Sequence, residues 1–296
     1  MILRPFEYVE SKTIDDAVSA LRTGGEDARV IAGGTALVPL MKHAVLRPSL
    51  LVGITKVPGF AEIAPTPSGG LRIGGVATHW AVSRSIEVRQ RTPLLAYACG
   101  RVASPTVRSM GTLGGNLCYG ESASDPSPAL LALRATARLH GPAGERRVPI
   151  TEFFTGFYET ALREAEVLTG IDVPVMPASA LWRYLKWTPR AQEDKALVGL
   201  ATMLVLDGRH CRVARLAVGG VSAWPVVLSE AERALEGQEV DDTTIARAAD
   251  AAAGEVDPID DLQGSADYRR DMLRTWVRRV VTGLVEGRLS ECPPWS

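Results

Sequence analysis

The chain has 296 residues, 46% of them hydrophobic, enough to bury one large core or two to three smaller ones. Its 33 basic and 34 acidic residues nearly cancel, so nothing global points to nucleic acid or an anionic membrane. The longest apolar stretch, Ala196 to Leu206, is too short to span a bilayer, and Glu7 and Glu10 fall where a signal peptide would need an apolar run; the expectation is a soluble cytoplasmic protein.

Thr13 and Asp16 form a T-x-x-D capping box, Ile14, Ala17, Val18 and Leu21 follow at helical spacing, and Gly24-Gly25 ends the predicted helix. The apolar run Arg29 to Ala32 reads as a buried strand leading directly into Gly33-Gly34-Thr35. An apolar segment, Leu37 to Met41, comes next, and Leu50 to Ile54 and Leu71 to Gly74 read as strands. Ser83 to Ala98 is predicted helical, with a boundary at Pro93. Ser127 and Pro128 suit the N-cap and first position of a short helix over Ala129 to Leu133. Ala137 to His140 and Val167 to Val173 read as further strands.

The proline-rich run Val173 to Pro177 marks a domain boundary. Beyond it stand a strand (Leu181 to Trp187), an apolar segment (Val198 to Leu206) and a strand (Val213 to Val218). Three helices finish the chain: Val227 to Leu235, Thr244 to Ala253 and Ser265 to Val285. The last places Tyr268, Met272, Trp276, Val280 and Leu284 along one stripe. Without a regular βαβ rhythm, the pattern indicates an α+β fold.

Cys99, Cys118, Cys211 and Cys292 show no zinc-type or CxxC spacing, and the four histidines are scattered, so unpaired cysteines and no metal site are expected. No Ser–His–Asp or Cys–His arrangement suggests a catalytic side chain. The Arg270, Arg274 and Arg278 row is read as a solvated helix face, and His79 as structural.

The two glycine pairs are the informative feature. Gly33-Gly34 follows a strand, and Gly114-Gly115 sits between Leu113 and Asn116. Glycine lets backbone N–H groups approach a ligand closely, and consecutive N–H groups around one concavity suit a pyrophosphate. Thr35 and Thr112 add hydroxyls, Asn116 donates and accepts, and an ionised Asp125 accepts from sugar or ribityl hydroxyls. GxGxxG and GxxxxGK[ST] are both absent, which excludes an ordinary Rossmann site and a P-loop.

The segments AGGTALVPLMK (Ala32 to Lys42) and SPTVRSMGTLGGNLCYGESASD (Ser104 to Asp125) resemble the two FAD-binding segments of the flavoprotein subunit of molybdenum hydroxylases, the xanthine dehydrogenase and aerobic carbon monoxide dehydrogenase relatives. The resemblance continues through EVLTGIDVP (from Glu166), YLKWTPRAQEDKALVGLA (from Tyr184), RLAVGGVSAWPVVLSEAERALEG (from Arg215) and DDLQGSADYRRDMLRTWVRRVV (from Asp260).

It implies a two-part FAD-binding domain of the PCMH type over residues 1–175, divided near residue 55, followed by a smaller α+β C-terminal domain over 176–296. It further implies that Ala32, Gly33, Gly34, Thr35, Ala36 and Leu37 form the first FAD loop. Ala103, Gly111, Thr112, Gly114, Gly115 and Asn116 would belong to the second. Ser122 to Ser124 would let the chain pass close to the cofactor, Ser124 within its reach, with Asp125 on a sugar or ribityl hydroxyl. Leu168 and Lys186 match positions near the flavin. Ala36 departs from the family, where many members carry Asp or Ser. The cysteine-rich insertion of the hydroxybenzoyl-CoA-reducing branch is absent.

The implied function is electron transfer. FAD here would take electrons from a small subunit with two [2Fe-2S] clusters and pass them to an external acceptor. A molybdopterin-binding large subunit would oxidise the substrate, in a dimer of heterotrimers. A free-standing flavin oxidoreductase and a scaffold that has lost FAD are the alternatives.

Overall fold

The computed structural model describes residues 3–191 and 193–288, so Cys292 lies outside the described residues. Three larger sheets organise it, beside a two-stranded one formed by Phe154–Gly156 and Glu159–Thr160. The first is a parallel sheet in which Leu50–Gly53 lies between Glu7–Glu10 and Ala28–Ile31. Helix Ile14–Gly24 covers it and buries Ala17, Val18 and Leu21 against Ala28 and Val52. The capping box forms: Asp16 N–H donates to Thr13 Oγ1 at 3.1 Å, and Thr13 N–H donates to the Asp16 carboxylate at 2.9 Å.

The second sheet is antiparallel, in the order Ile63–Pro65, Leu71–Gly74, Val167–Val173, Thr136–Gly141, Gly144–Pro149. Six short helices accompany it. Where one helix is expected over Ser83 to Ala98, the structure has three: His79–Arg84, Ile86–Arg91 and Pro93–Gly100. The break has a local cause: Ser85 is extended and caps the middle helix by accepting from Val88 N–H, and Pro93 opens the third. Helix Pro126–Ala132 starts before the expected Ala129, so Ser127 and Pro128 lie inside its first turn. Helices Pro105–Met110 and Leu113–Tyr119 occupy what reads in sequence as loop.

The third sheet is antiparallel, running Leu181–Trp187, Val198–Asp207, His210–Gly219, Val226–Val227. Val198–Asp207 is buried on both faces. Leu200 and Leu204 pack with helices Ser229–Leu235, Asp242–Gly254 and Ala266–Val285, whereas Ala201 and Met203 join the core of the second sheet. A strand covered on both sides has no polar face, which explains its nearly continuous apolar sequence from Val198 to Leu206, in which the buried Thr202 is the one polar side chain. Val227 pairs with Ala217 instead of starting a helix, and the helix begins at Ser229. On the last helix the buried stripe is shifted one residue from the expected one. Arg269, Leu273, Val277 and Val281 are innermost with Val280 and Leu284, while Met272 and Trp276 flank them and Tyr268 is exposed. The Arg269 guanidinium is tolerated inside because it donates to the carbonyls of Leu197 and Gly220 and pairs with Asp261 at 2.6 Å.

Candidate functional site

A groove opens between the first and second sheets. One wall begins where strand Ala28–Ile31 ends. Gly34 takes a left-handed φ of 69°, which reverses the chain without a Cβ clash. Its carbonyl accepts from Val38 N–H at 3.0 Å and the Ala36 carbonyl from Leu40 N–H at 3.2 Å, which starts helix Leu37–Lys42. The N–H groups of Gly34, Thr35 and Ala36 donate to no acceptor among the described residues. A left-handed turn followed by free amides at a helix start forms an anion-binding concavity.

The opposite wall is helix Leu113–Tyr119. Here the glycine pair lies inside the first helical turn, not in a loop, and its amides are in use. Gly114 N–H donates to the Gly75 carbonyl at 3.0 Å, and Gly115 N–H to the capping hydroxyl of Thr112 at 3.0 Å. Leu113 N–H reaches the Ala77 carbonyl at 2.9 Å. A Cβ on Gly114 would collide with the Gly75 carbonyl and lie 2.9 Å from Leu168 Cδ2. Gly115 is exposed, and its Cβ would meet only Thr112 Oγ1, at 2.8 Å. Thr112 therefore acts as a cap acceptor for Gly115. Glu166, Val167 and Leu168 lie between the two walls.

Of the residues singled out in sequence, Ala32, Gly33, Gly34, Thr35, Ala36, Leu37, Thr112, Gly114, Gly115, Asn116 and Leu168 line this groove together. Ala103, Gly111, Ser124, Asp125 and Lys186 do not. Gly111 stands just behind, touching the first wall: a Cβ on Gly33 would overlap the Met110 carbonyl and lie 3.0 Å from Gly111 Cα. Ala103, at φ 36°, has its carbonyl held by the Arg108 guanidinium at 2.5 Å.

Ser124 connects the groove to the interior: its hydroxyl donates to Asn116 Oδ1 at 2.5 Å and exchanges a 2.6 Å hydrogen bond with Ser127. Next to it, the Asp125 carboxylate is buried. It accepts from Tyr184 Oη at 2.8 Å and pairs with Lys186 Nζ at 2.9 Å; Lys186 also donates to the Arg101 carbonyl at 2.9 Å. Burial pushes the Asp125 carboxyl up to about 6, against the pull of Lys186 and the Tyr184 hydroxyl. Asp125 and Lys186 thus bind strand Leu181–Trp187 to the second sheet's helices. The small run Ser122 to Ser124 packs beside the third sheet. It passes against Gly219 and Gly220, where Gly220 N–H donates to the Ser122 carbonyl at 2.8 Å and a Cβ on Gly219 would lie 2.6 Å from that oxygen.

Sequence reasoning missed Leu40, Leu46, Cys118, Tyr119, Leu162 and Glu166 in the lining. A helical reading from Leu113 would have found Tyr119, one turn beyond Gly115 on the same face. Burial raises the Cys118 thiol to about 12, which keeps it protonated near neutral pH. A row of free amides beside aliphatic walls matches a phosphate joined to flat apolar rings: the dinucleotide class of ligand.

The comparisons narrow that class. Residues 4–176 match the family described as the FAD binding domain in molybdopterin dehydrogenase, and residues 183–284 match the CO dehydrogenase flavoprotein C-terminal domain. The chain belongs to this family of FAD-binding flavoprotein subunits of molybdenum hydroxylases, and it is an oxidoreductase component with FAD as cofactor. It is 34% identical over 93% of its length to the 6-hydroxypseudooxynicotine dehydrogenase complex subunit alpha of Paenarthrobacter nicotinovorans, covering 93% of that protein. It is also 34% identical over 95% of its length to the carbon monoxide dehydrogenase medium chain of Hydrogenophaga pseudoflava, covering 97% of it. The solved carbon monoxide dehydrogenase of H. pseudoflava superposes with a TM-score of 0.93 at 35% identity, covering 97% of this chain and 99% of that one. Quinoline 2-oxidoreductase from Pseudomonas putida 86 gives 0.90 at 32% identity, covering 97% and 99%.

Proposed function

We propose that this chain is the electron-transferring medium subunit of a three-component hydroxylase. Its FAD receives electrons from a small subunit with two [2Fe-2S] clusters and delivers them to an external acceptor. A molybdopterin-binding large subunit oxidises the substrate, and the assembly is a cytoplasmic dimer of heterotrimers. The observation that carries the reading is the groove itself: unbonded amides at Gly34 to Ala36 on one wall, the second glycine pair on the other, and Glu166, Val167 and Leu168 between them. The relatives' names support it, because they are subunits or chains of larger enzymes. No helix among the described residues is long and apolar enough to cross a membrane.

Bound FAD would supply the redox chemistry, accepting and releasing electrons. The chain's own residues bind and orient. We assign Ala32 to Leu37 to the pyrophosphate through backbone amides. Thr112, Gly114, Gly115 and Asn116 form the facing wall, and Leu168 is an apolar support. Ala103, Gly111, Ser124, Asp125 and Lys186 act from behind, shaping the wall that carries Asn116. We take residues 1–175 as the FAD-binding domain, divided near residue 55, and 176–296 as the C-terminal domain. A separate sheet in each of the three parts supports that division.

The test is twofold. Acid-released cofactor from the purified complex is expected at about one FAD per chain, as one built groove implies. Stopped-flow mixing should show rapid flavin reduction by the organic substrate in the reconstituted complex and none in the isolated chain. Rapid reduction in the isolated chain would reject the subunit reading and favour a free-standing oxidoreductase.

A further inference from the structure

Tyr119 is the single aromatic side chain among the described residues that line the groove. It ends the helix that begins at Leu113, four residues after Gly115, so both lie on one helix face about 6 Å apart along the axis. Its ring is backed by an aromatic ladder. The Tyr158 ring packs on it at 5.1 Å between centroids, and the Phe157 ring meets Tyr158 edge-on at 4.6 Å and 82°.

Unusual backbone holds this ladder in place. Tyr158 sits at a left-handed φ of 57° in the turn between strands Phe154–Gly156 and Glu159–Thr160. Gly120, at φ 67°, lets that turn come so close that a Cβ there would lie 3.1 Å from Tyr158 Cα. Tyr158 Oη donates to Glu121 at 2.7 Å, and Lys195, from beyond strand Leu181–Trp187, pairs with the same carboxylate. Left-handed non-glycine backbone costs free energy and persists only where surrounding contacts over-determine it. Here those contacts fix a tyrosine at the groove.

We propose that Tyr119 is a positioning residue for FAD, its ring stacking on one of the cofactor's two flat ring systems while Tyr158 and Phe157 hold it in place. The inference rests on FAD occupying this groove. An aromatic face offers a planar heterocycle what the aliphatic walls cannot, a stacked contact of fixed orientation.

The test uses the full-length chain, freed of FAD and titrated with FAD, ADP and FMN separately. Tyr119→Phe keeps the ring and should bind FAD as the wild type does. Tyr119→Leu should bind FAD about ten- to a hundredfold more weakly, the range of one lost ring–base stack. Weaker ADP binding with FMN unchanged would identify adenine as the stacked ring. Weaker FMN binding, with brighter fluorescence of the residual bound flavin, would identify the isoalloxazine. Phe157→Ala, which removes the outermost and exposed ring, should weaken FAD binding by only about twofold.

The proposal is overturned if Tyr119→Leu retains wild-type FAD affinity. It is overturned equally if Tyr119→Leu and Phe157→Ala lower the melting temperature of the FAD-free chain as much as that of the loaded chain, since the ladder would then serve the fold alone. Because FAD stoichiometry in the wild type is measured separately, failure of the groove assignment and failure of the Tyr119 assignment are distinguishable.

Discussion

At Gly33-Gly34 the chain leaves a parallel strand, turns left-handed, and carries three amides that no described residue accepts from. At Gly114-Gly115 the chain is already helical, and Gly75 and Thr112 take both amides. The two dipeptides are identical and both line the groove, yet only the first leaves bare N–H groups to offer a ligand. The second uses absent side chains for packing: Gly114 lets a helix rest directly on the backbone at Gly75. A glycine pair therefore signals close approach without saying whether a ligand or another part of the chain approaches.

That contrast is testable by asking which variants lose stability and which lose FAD. The largest effect is expected behind the second wall. Lys186→Met removes the partner of a buried carboxylate and should cost about 3–5 kcal/mol at pH 8, as isolating one charge of a buried pair does. The pH dependence has a definite sign. The Asp125 carboxyl is raised to about 6 in the folded chain from an ordinary 3.8, so between those values the folded state holds a proton the unfolded state has released. Its contribution to stability therefore falls as pH rises from about 4 to about 6, by at most about 3 kcal/mol. Lys186→Met raises that carboxyl further, so the variant's deficit should shrink at pH 5. Urea denaturation of FAD-free protein at both pH values checks this; an equal deficit at pH 5 and 8 would contradict it.

Gly114→Ala should cost about 2–3 kcal/mol in the FAD-free chain, because a backbone carbonyl cannot move aside as a side chain can. Thermal melts with and without FAD should show the same loss. If only the loaded form were affected, the second pair would be a ligand loop after all. Gly34→Ala should reverse the pattern. Its left-handed φ makes the strain about 1–2 kcal/mol, and FAD affinity should drop about tenfold as the amide turn opens. Fluorescence titration decides it, and unchanged affinity would remove the first turn from the site.

Gly115→Ala is the smallest change. Its Cβ meets only the capping hydroxyl, and alanine's better helix propensity offsets the crowding, leaving stability within about 1 kcal/mol. FAD retention after gel filtration should fall less than in Gly34→Ala; a larger fall would show that the ligand presses hardest on the second wall.

Local order was well written in the sequence. The capping box at Thr13 and Asp16, the strand Leu181 to Trp187 and the closing helices follow from chemistry among near neighbours, and each formed close to its expected place. The two glycine segments also stood out, because bare backbone is conspicuous in any context.

What tertiary structure alone decided is what each feature faces. Val198 to Leu206 became a strand because a second core covers its other side, and Arg269 turned inward because Leu197, Gly220 and Asp261 meet its guanidinium there. Asp125 and Lys186 are far apart in sequence, so only the fold could make them a buried pair. The same holds for the amides: a sequence shows that Gly34 and Gly114 leave backbone bare, but hydrogen bonds are assigned by distant partners. The partner is Gly75 for one, and none among the described residues for the other.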